Sequence, residues 1–189
     1  TPNPDSVNAL DMLPDIYVPY RMDAVAGIND DYFFRSNDKP APHNAYISLE
    51  EASKEFPVVW ARDHFLFDEV EYDKSEDSAQ SITIDYPTES KNKVGYVYNP
   101  DTKQYDRFIN DKAHMDALYD KQISATNVIV QYAEHTQVKV YVLVEFKYRG
   151  KADYFIDGKH ISGYWVKDFE DDITHWYTDE EELLIIQPG

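Results

Sequence analysis

Across residues 94–135 two aromatic strands, a turn and a strand rich in Val and Ile follow one another without interruption, and this stretch restricts the fold more than any other. Residues 94–98 and 104–108 flank Asn99-Pro100-Asp101-Thr102-Lys103, where the fixed φ of proline suits a tight turn, so a hairpin is predicted. Residues 126–133 are dense in β-branched side chains, which pack well on a pleated surface and lose rotamer freedom in a helix. In 137–146, Val138, Val140, Val142, Val144 and Phe146 fall on one face, with Lys139 and Glu145 on the other; one half-buried strand is predicted. Residues 152–156 and 160–165 flank Asp157-Gly158, a pair suited to the two positive φ angles of a type I′ hairpin turn. Segments 81–86, 174–177 and 182–186 add further short strands.

The first third reads differently. Residues 6–13 suit a short helix capped by Ser6 and stopped by Pro14, followed by an extended piece at 15–20 and loop over 21–31. Residues 32–35 form a brief strand, and the prolines of 39–44 force extended or turning backbone. Ser48 with Glu51 three residues on is a capping box, predicting a helix over 49–55 that Pro57 ends. Beyond the apolar run Val58-Val59-Trp60, residues 68–80 are acidic, polar and without periodicity. They read as a linker, giving a first part at 1–68, a linker at 69–80 and a β-rich second domain at 81–189.

Composition excludes several function classes. Thirty-six acidic residues against 18 basic ones give a formal charge of −18, which repels nucleic acid and anionic lipid surfaces. Cysteine is absent, so neither disulfides nor thiolate chemistry can be proposed. No apolar run reaches the roughly 18 residues that span a bilayer, and the opening TPNPDS lacks the features of a signal peptide. The sequence reads as part of a longer protein. No glycine-rich phosphate loop, GxSxG or HExxH occurs, and neither a cofactor nor a metal is assigned.

Two constellations could carry chemistry. Arg35, His43 and Asn44 lie just before the capped helix and could converge on a carboxylate; alternatively, His43 and Asn44 only bond the backbone of a proline-rich turn. His114 and Asp116, two residues apart, would share one face of a strand as an acid–base pair or half of a metal site, which His135, His160 or His175 would have to complete. Tyr96, Tyr98, Tyr105, Tyr132 and Tyr141 recur along neighbouring strands, either as a platform for sugar rings or as cross-strand packing.

Several stretches resemble the YerB-like lipoprotein family of Gram-positive bacteria. They are FFRSNDKPAPHNAYISLEEASKEF at 33–56, YNPDTKQYDRF at 98–108 with Arg107 inside it, His114-x-Asp116, ISATNVIVQY at 123–132 and KADYFIDGKHISGYW at 151–165. The resemblance implies an α+β fold, a mostly antiparallel layered sandwich of two sheets plus helices. It also implies an extracytoplasmic protein whose only membrane attachment is a lipid anchor outside this sequence, and no established reaction. On that basis the chain is expected to bind a cell-wall component or a wall-synthesis protein as a non-enzymatic module. The alternative is an enzyme acting on wall glycan or peptide, with Arg35 holding a carboxylate, His43 and Asn44 orienting substrate and His114 with Asp116 as acid and base. Arg107 and Asn127 are further candidates for ligand contact; Asn127 could instead bond backbone between the two parts.

Overall fold

The computed structural model describes residues 22–24, 27–41, 43–55, 64–69, 72, 77–86, 92–138, 141–169 and 172–189. The helix expected at 6–13, the extended piece at 15–20, the apolar run at 58–60, Pro42 and half of the acidic linker (70, 71 and 73–76) lie outside them. The chain divides into two compact units. One comprises Thr1–Arg62 with Gln137–Leu143, the other Asp63–Thr136 with Val144–Gly189.

In the first unit, β1 (Phe33–Arg35) and β2 (Ala45–Ile47) pair antiparallel, Arg35 opposite Ala45. Helix α1 (Leu49–Glu55) follows, and the amide of Glu51 donates to Ser48 Oγ at 3.4 Å, one half of the expected capping box. Glu50 and Glu51 in its first turn and Lys54 in its last complement the helix dipole.

The second unit holds most of the strands: β3 (Leu66–Phe67), β4 (Asp77–Ser78), β5 (Ser81–Ile84), β6 (Val94–Asn99), β7 (Gln104–Ile109), β8 (Lys112–Ala113), β9 (Met115–Asp116), β10 (Lys121–Gln122), β11 (Ser124–Ala125) and β12 (Asn127–Gln131). Next come the paired strands β13 (Glu134–Val138) and β14 (Tyr141–Glu145), whose segment Gln137–Leu143 is grouped with the first unit, and then, in the second unit, β15 (Tyr148–Ile156), β16 (Lys159–Lys167), β17 (His175–Thr178) and β18 (Ile185–Ile186). Where one strand was expected over 137–146, the chain therefore reverses. Alternation of side chains records which face is buried, and it reads the same through a reversal.

Two antiparallel sheets dominate. One has the order β11-β7-β6-β5, with β8 on β7; the other has the order β12-β15-β16-β17, with β4 on β16. Among the described residues the single helix has seven residues, so the protein is mainly β rather than the α+β class expected. The α+β class came from the resemblance, whereas beyond the capped helix at 49–55 the dense aromatic and β-branched residues between turn signals favour strands.

The longest hairpin, β15–β16, turns at Asp157 (φ 48°) and Gly158 (φ 72°), both left-handed as a type I′ turn requires. That turn fixes the register: Phe155 faces His160, Asp153 faces Ser162 and Lys151 faces Tyr164. On one face of the sheet Ala152, Tyr154 and Ile156 meet Ile161 and Trp165, closed over by Leu184 and Ile186 with Phe65, Tyr72 and Trp176. The Tyr154 hydroxyl shares its single proton between the carbonyls of Tyr164 and Tyr177, at 3.0 and 2.9 Å, so its burial leaves the donor satisfied. Gly163 permits this close packing, since a Cβ there would lie 2.0 Å from the Tyr177 carbonyl oxygen. A second core joins the two large sheets, with Ile82 from β5 and Tyr105 from β7 against Val128 from β12 and Phe155 from β15.

Candidate functional site

The residues nominated by sequence fall into separate places. On the β1–β2 hairpin, Arg35 Nη1 donates to Asn44 Oδ1 at 2.8 Å and Asn44 Nδ2 donates to the Ser36 carbonyl at 3.1 Å. Those bonds tie the strands together. The rings of Phe34 and Tyr46 stack with centroids 5.7 Å apart, and Arg35 lines a small open cavity of about 180 Å³ with Ala24, Asp30, Phe33, Phe34 and Ala45. His43 is exposed in the turn and shares no hydrogen bond with Arg35 or Asn44.

In the second unit, Arg107 Nη1 contacts His114 Nδ1; a guanidinium only donates, so the ring nitrogen accepts. The same guanidinium lies 6.0 Å from the Tyr96 ring centroid. His114 sits between β8 and β9, its backbone bonded to Arg107 and Ile123, while Asp116 Oδ1 accepts the amides of Leu118 (2.8 Å) and Tyr119 (3.0 Å). Asp116 therefore caps a turn, and the two side chains engage different partners instead of pairing. Asn127 exchanges two hydrogen bonds with the backbone of Gln187, Nδ2 donating at 2.8 Å and Oδ1 accepting at 3.0 Å. It does bond backbone, but to the C-terminal segment of its own unit. Tyr98 and Tyr105 pack across β6 and β7 at 5.1 Å, and the Tyr98 hydroxyl donates to Asp157 at 2.6 Å. Burial pushes the Tyr105 phenol up to about 12.

The sequence reading named Tyr132 and His160 in other constellations but not the face of the β12-β15-β16-β17 sheet that brings them together. There Asp153, only 6% exposed, receives His160 Nε2 at 3.0 Å and Lys151 Nζ at 3.3 Å, and bonds the Tyr132 hydroxyl. Burial alone would raise this carboxyl; the bonds from His160, Tyr132 and Lys151 outweigh it and hold it below the usual carboxylate range. The bond to Asp153, with burial, raises the Tyr132 phenol. The His160 ring stacks on Phe155 at 5.1 Å, which fixes its plane.

Beside this cluster, the Arg149 guanidinium lies 3.6 Å from the Tyr164 ring centroid, and Tyr164 stacks on Tyr177 at 5.2 Å and 16°. Lys151 sits 5.1 Å from the Tyr132 ring centroid, and Tyr132 is 48% exposed. One sheet face thus presents two cations, each over an aromatic ring, above a buried carboxylate. The signal for it was the Asp157-Gly158 turn: once a two-residue turn fixes the register, Lys151, Asp153, His160 and Tyr164 must share a face. A general base oriented by a carboxylate, or a binding surface of fixed cations and rings, are both within its chemistry. Among the described residues no group of three or more His, Asp or Glu side chains could hold a metal ion; His160 is taken by Asp153, and His175 lies 4.0 Å from Asp172.

Comparison with known proteins bears on the fold. Residues 82–189 match the family model described as the C-terminal domain of a protein of unknown function, DUF3048. The crystal structure of the YerB protein from Bacillus subtilis superposes with a TM-score of 0.72 over 96% of this chain, at 20% identity. The chain spans 61% of that protein's length. No curated protein matches.

Proposed function

From the premise that this chain belongs to the DUF3048 family, whose C-terminal domain it carries over residues 82–189, we propose an extracytoplasmic binding module for a cell-wall component or a wall-synthesis protein, lipid-anchored in the full-length protein. The observation that carries the reading is the open part of the sheet face, where Arg149, Lys151 and Tyr164 are set on the β15–β16 hairpin, with Tyr132 beside them just after β12, and the reverse side of the sheet is core. Rings and cations held in place by cross-strand packing lose little freedom when a ligand arrives, and preorganisation of that kind favours binding. The test is co-sedimentation of the full chain with purified cell walls. Arg149→Ala combined with Tyr164→Ala should release most of the protein to the supernatant, and an unchanged bound fraction would contradict the reading.

A second reading, an enzyme acting on wall glycan or peptide, draws on the Asp153–His160 pair, in which a carboxylate orients an imidazole. In that case His160→Ala should abolish turnover of wall fragments, whereas His114→Ala, which removes only the Arg107 contact, should leave it intact.

A further inference from the structure

The open face has an electrostatic character opposite to that of the chain. The protein carries −18, yet among the described residues Arg149 has no carboxylate within ion-pair distance. Lys151 does have one, but the partners are layered: the ammonium side chain is 61% exposed and the Asp153 side chain 9%, so the pair turns its positive end outward. The Arg149 guanidinium lies 3.6 Å from the Tyr164 ring centroid, and a cation–aromatic contact does not consume the N–H donors of the group, which stay available to an acceptor. A planar oxyanion taken on those donors makes two parallel bonds.

The surrounding groups describe the rest of the ligand. Arg149 and Lys151 are two residues apart on β15, roughly 7 Å at ordinary strand rise. Tyr132, 48% exposed with its hydroxyl bonded to Asp153, and the stacked pair Tyr164–Tyr177 border them with aromatic ring surface, which suits the C–H groups of a sugar. Net charge then selects among anionic sugars. Beyond a Debye length of about 8 Å at physiological salt the field of the remaining acidic residues is screened, but a densely charged phosphodiester chain would bring many charges within it, and a glycan with one carboxylate per repeat would not.

Resting on the binding-module reading, we propose that this face recognises a carboxylate-bearing glycan, Arg149 binding the carboxylate through its N–H edge and the tyrosines flanking the sugar. Lys151 supplies the second positive charge, and Asp153 is a positioning residue that holds Lys151 and Tyr132.

The test is titration calorimetry of the full chain with the disaccharide of N-acetylglucosamine and N-acetylmuramic acid bearing its free lactyl carboxylate. Chitobiose, which lacks that carboxylate, and poly(glycerol phosphate) are the comparison arms. The expected result is binding of the carboxylated sugar at least tenfold tighter than chitobiose, weakened by added salt. Arg149→Ala should remove that preference, and Arg149→Lys should lose most of it, since an ammonium cannot make the paired bonds. Equal affinity for both disaccharides, or tighter binding of poly(glycerol phosphate), would overturn the ligand class. If walls are still bound in an Arg149-dependent way, such a failure leaves the binding face standing. If wall binding ignores Arg149, the binding-module reading fails with it.

Discussion

The two faces of the β12-β15-β16-β17 sheet come from the same strands in alternation, yet they are built for different purposes. Residues 152, 154, 156, 161 and 165 point one way into a core where Tyr154, Ile156 and Trp165 are almost wholly buried. Residues 149, 151, 153, 160 and 164 point the other way: near the turn that face packs Phe155 and Val128 into the second core, and farther along Arg149 and Lys151 meet solvent above the buried Asp153. A period of two thus lets one hairpin supply stability and recognition at once, provided the register never slips by a residue. The Asp157-Gly158 turn and the absence of any side chain at Gly163 hold that register.

The contrast implies that substitutions on the core face should cost stability and those on the open face should cost binding. The largest effect is expected for Trp165→Ala, which empties a core position and removes the indole donor from the Tyr132 carbonyl, a 2.8 Å bond. Chemical denaturation should show a loss of about 3–5 kcal/mol; a loss below about 1 would mean that this face is not the core. Asn127→Ala comes next, because it frees the Gln187 backbone and with it the segment that lays Leu184 and Ile186 on the core face. A loss of about 1–3 kcal/mol is expected from thermal unfolding, and an unchanged melting temperature would remove Asn127 from the structural role.

Asp153 sharpens the comparison through pH. Its carboxyl is depressed in the folded state, so its contribution to stability is fully present above the unfolded carboxylate value and is lost as pH falls through the lower folded value. Wild-type stability should therefore decline below about pH 4, and part of that decline should vanish in Asp153→Asn, read from denaturation midpoints between pH 7 and 2.5. Parallel curves would show that the carboxylate contributes nothing through its charge. The smallest stability effect belongs to Arg149→Ala, which gives up one exposed cation–aromatic contact, about 0.5–1 kcal/mol. A larger loss would make Arg149 part of the scaffold.

Much of this architecture was legible in the residues. The turns at Asn99–Lys103 and Asp157-Gly158 located both hairpins, and Ser48 with Glu51 located the helix, because each is a local signal with a local cause. The reversal inside 137–146 was invisible because periodicity does not record direction. At the candidate sites, proximity in sequence misled: His114 and Asp116 are neighbours, but backbone amides claim the carboxylate and Arg107 claims the imidazole. Asp153 and His160, seven residues apart, do meet, since the hairpin folds one over the other.

The division between the faces is tested most directly by NMR of the full chain with ¹³C-labelled tyrosine rings, titrated with soluble fragments of digested cell wall. The expected result is that the ring signals of Tyr132, Tyr164 and Tyr177 shift together while those of the buried Tyr105 and Tyr154 stay in place. Shifts confined to Tyr46 on the β1–β2 hairpin, or no shift in the three open-face rings at saturating fragment, would contradict the assignment of that face to binding.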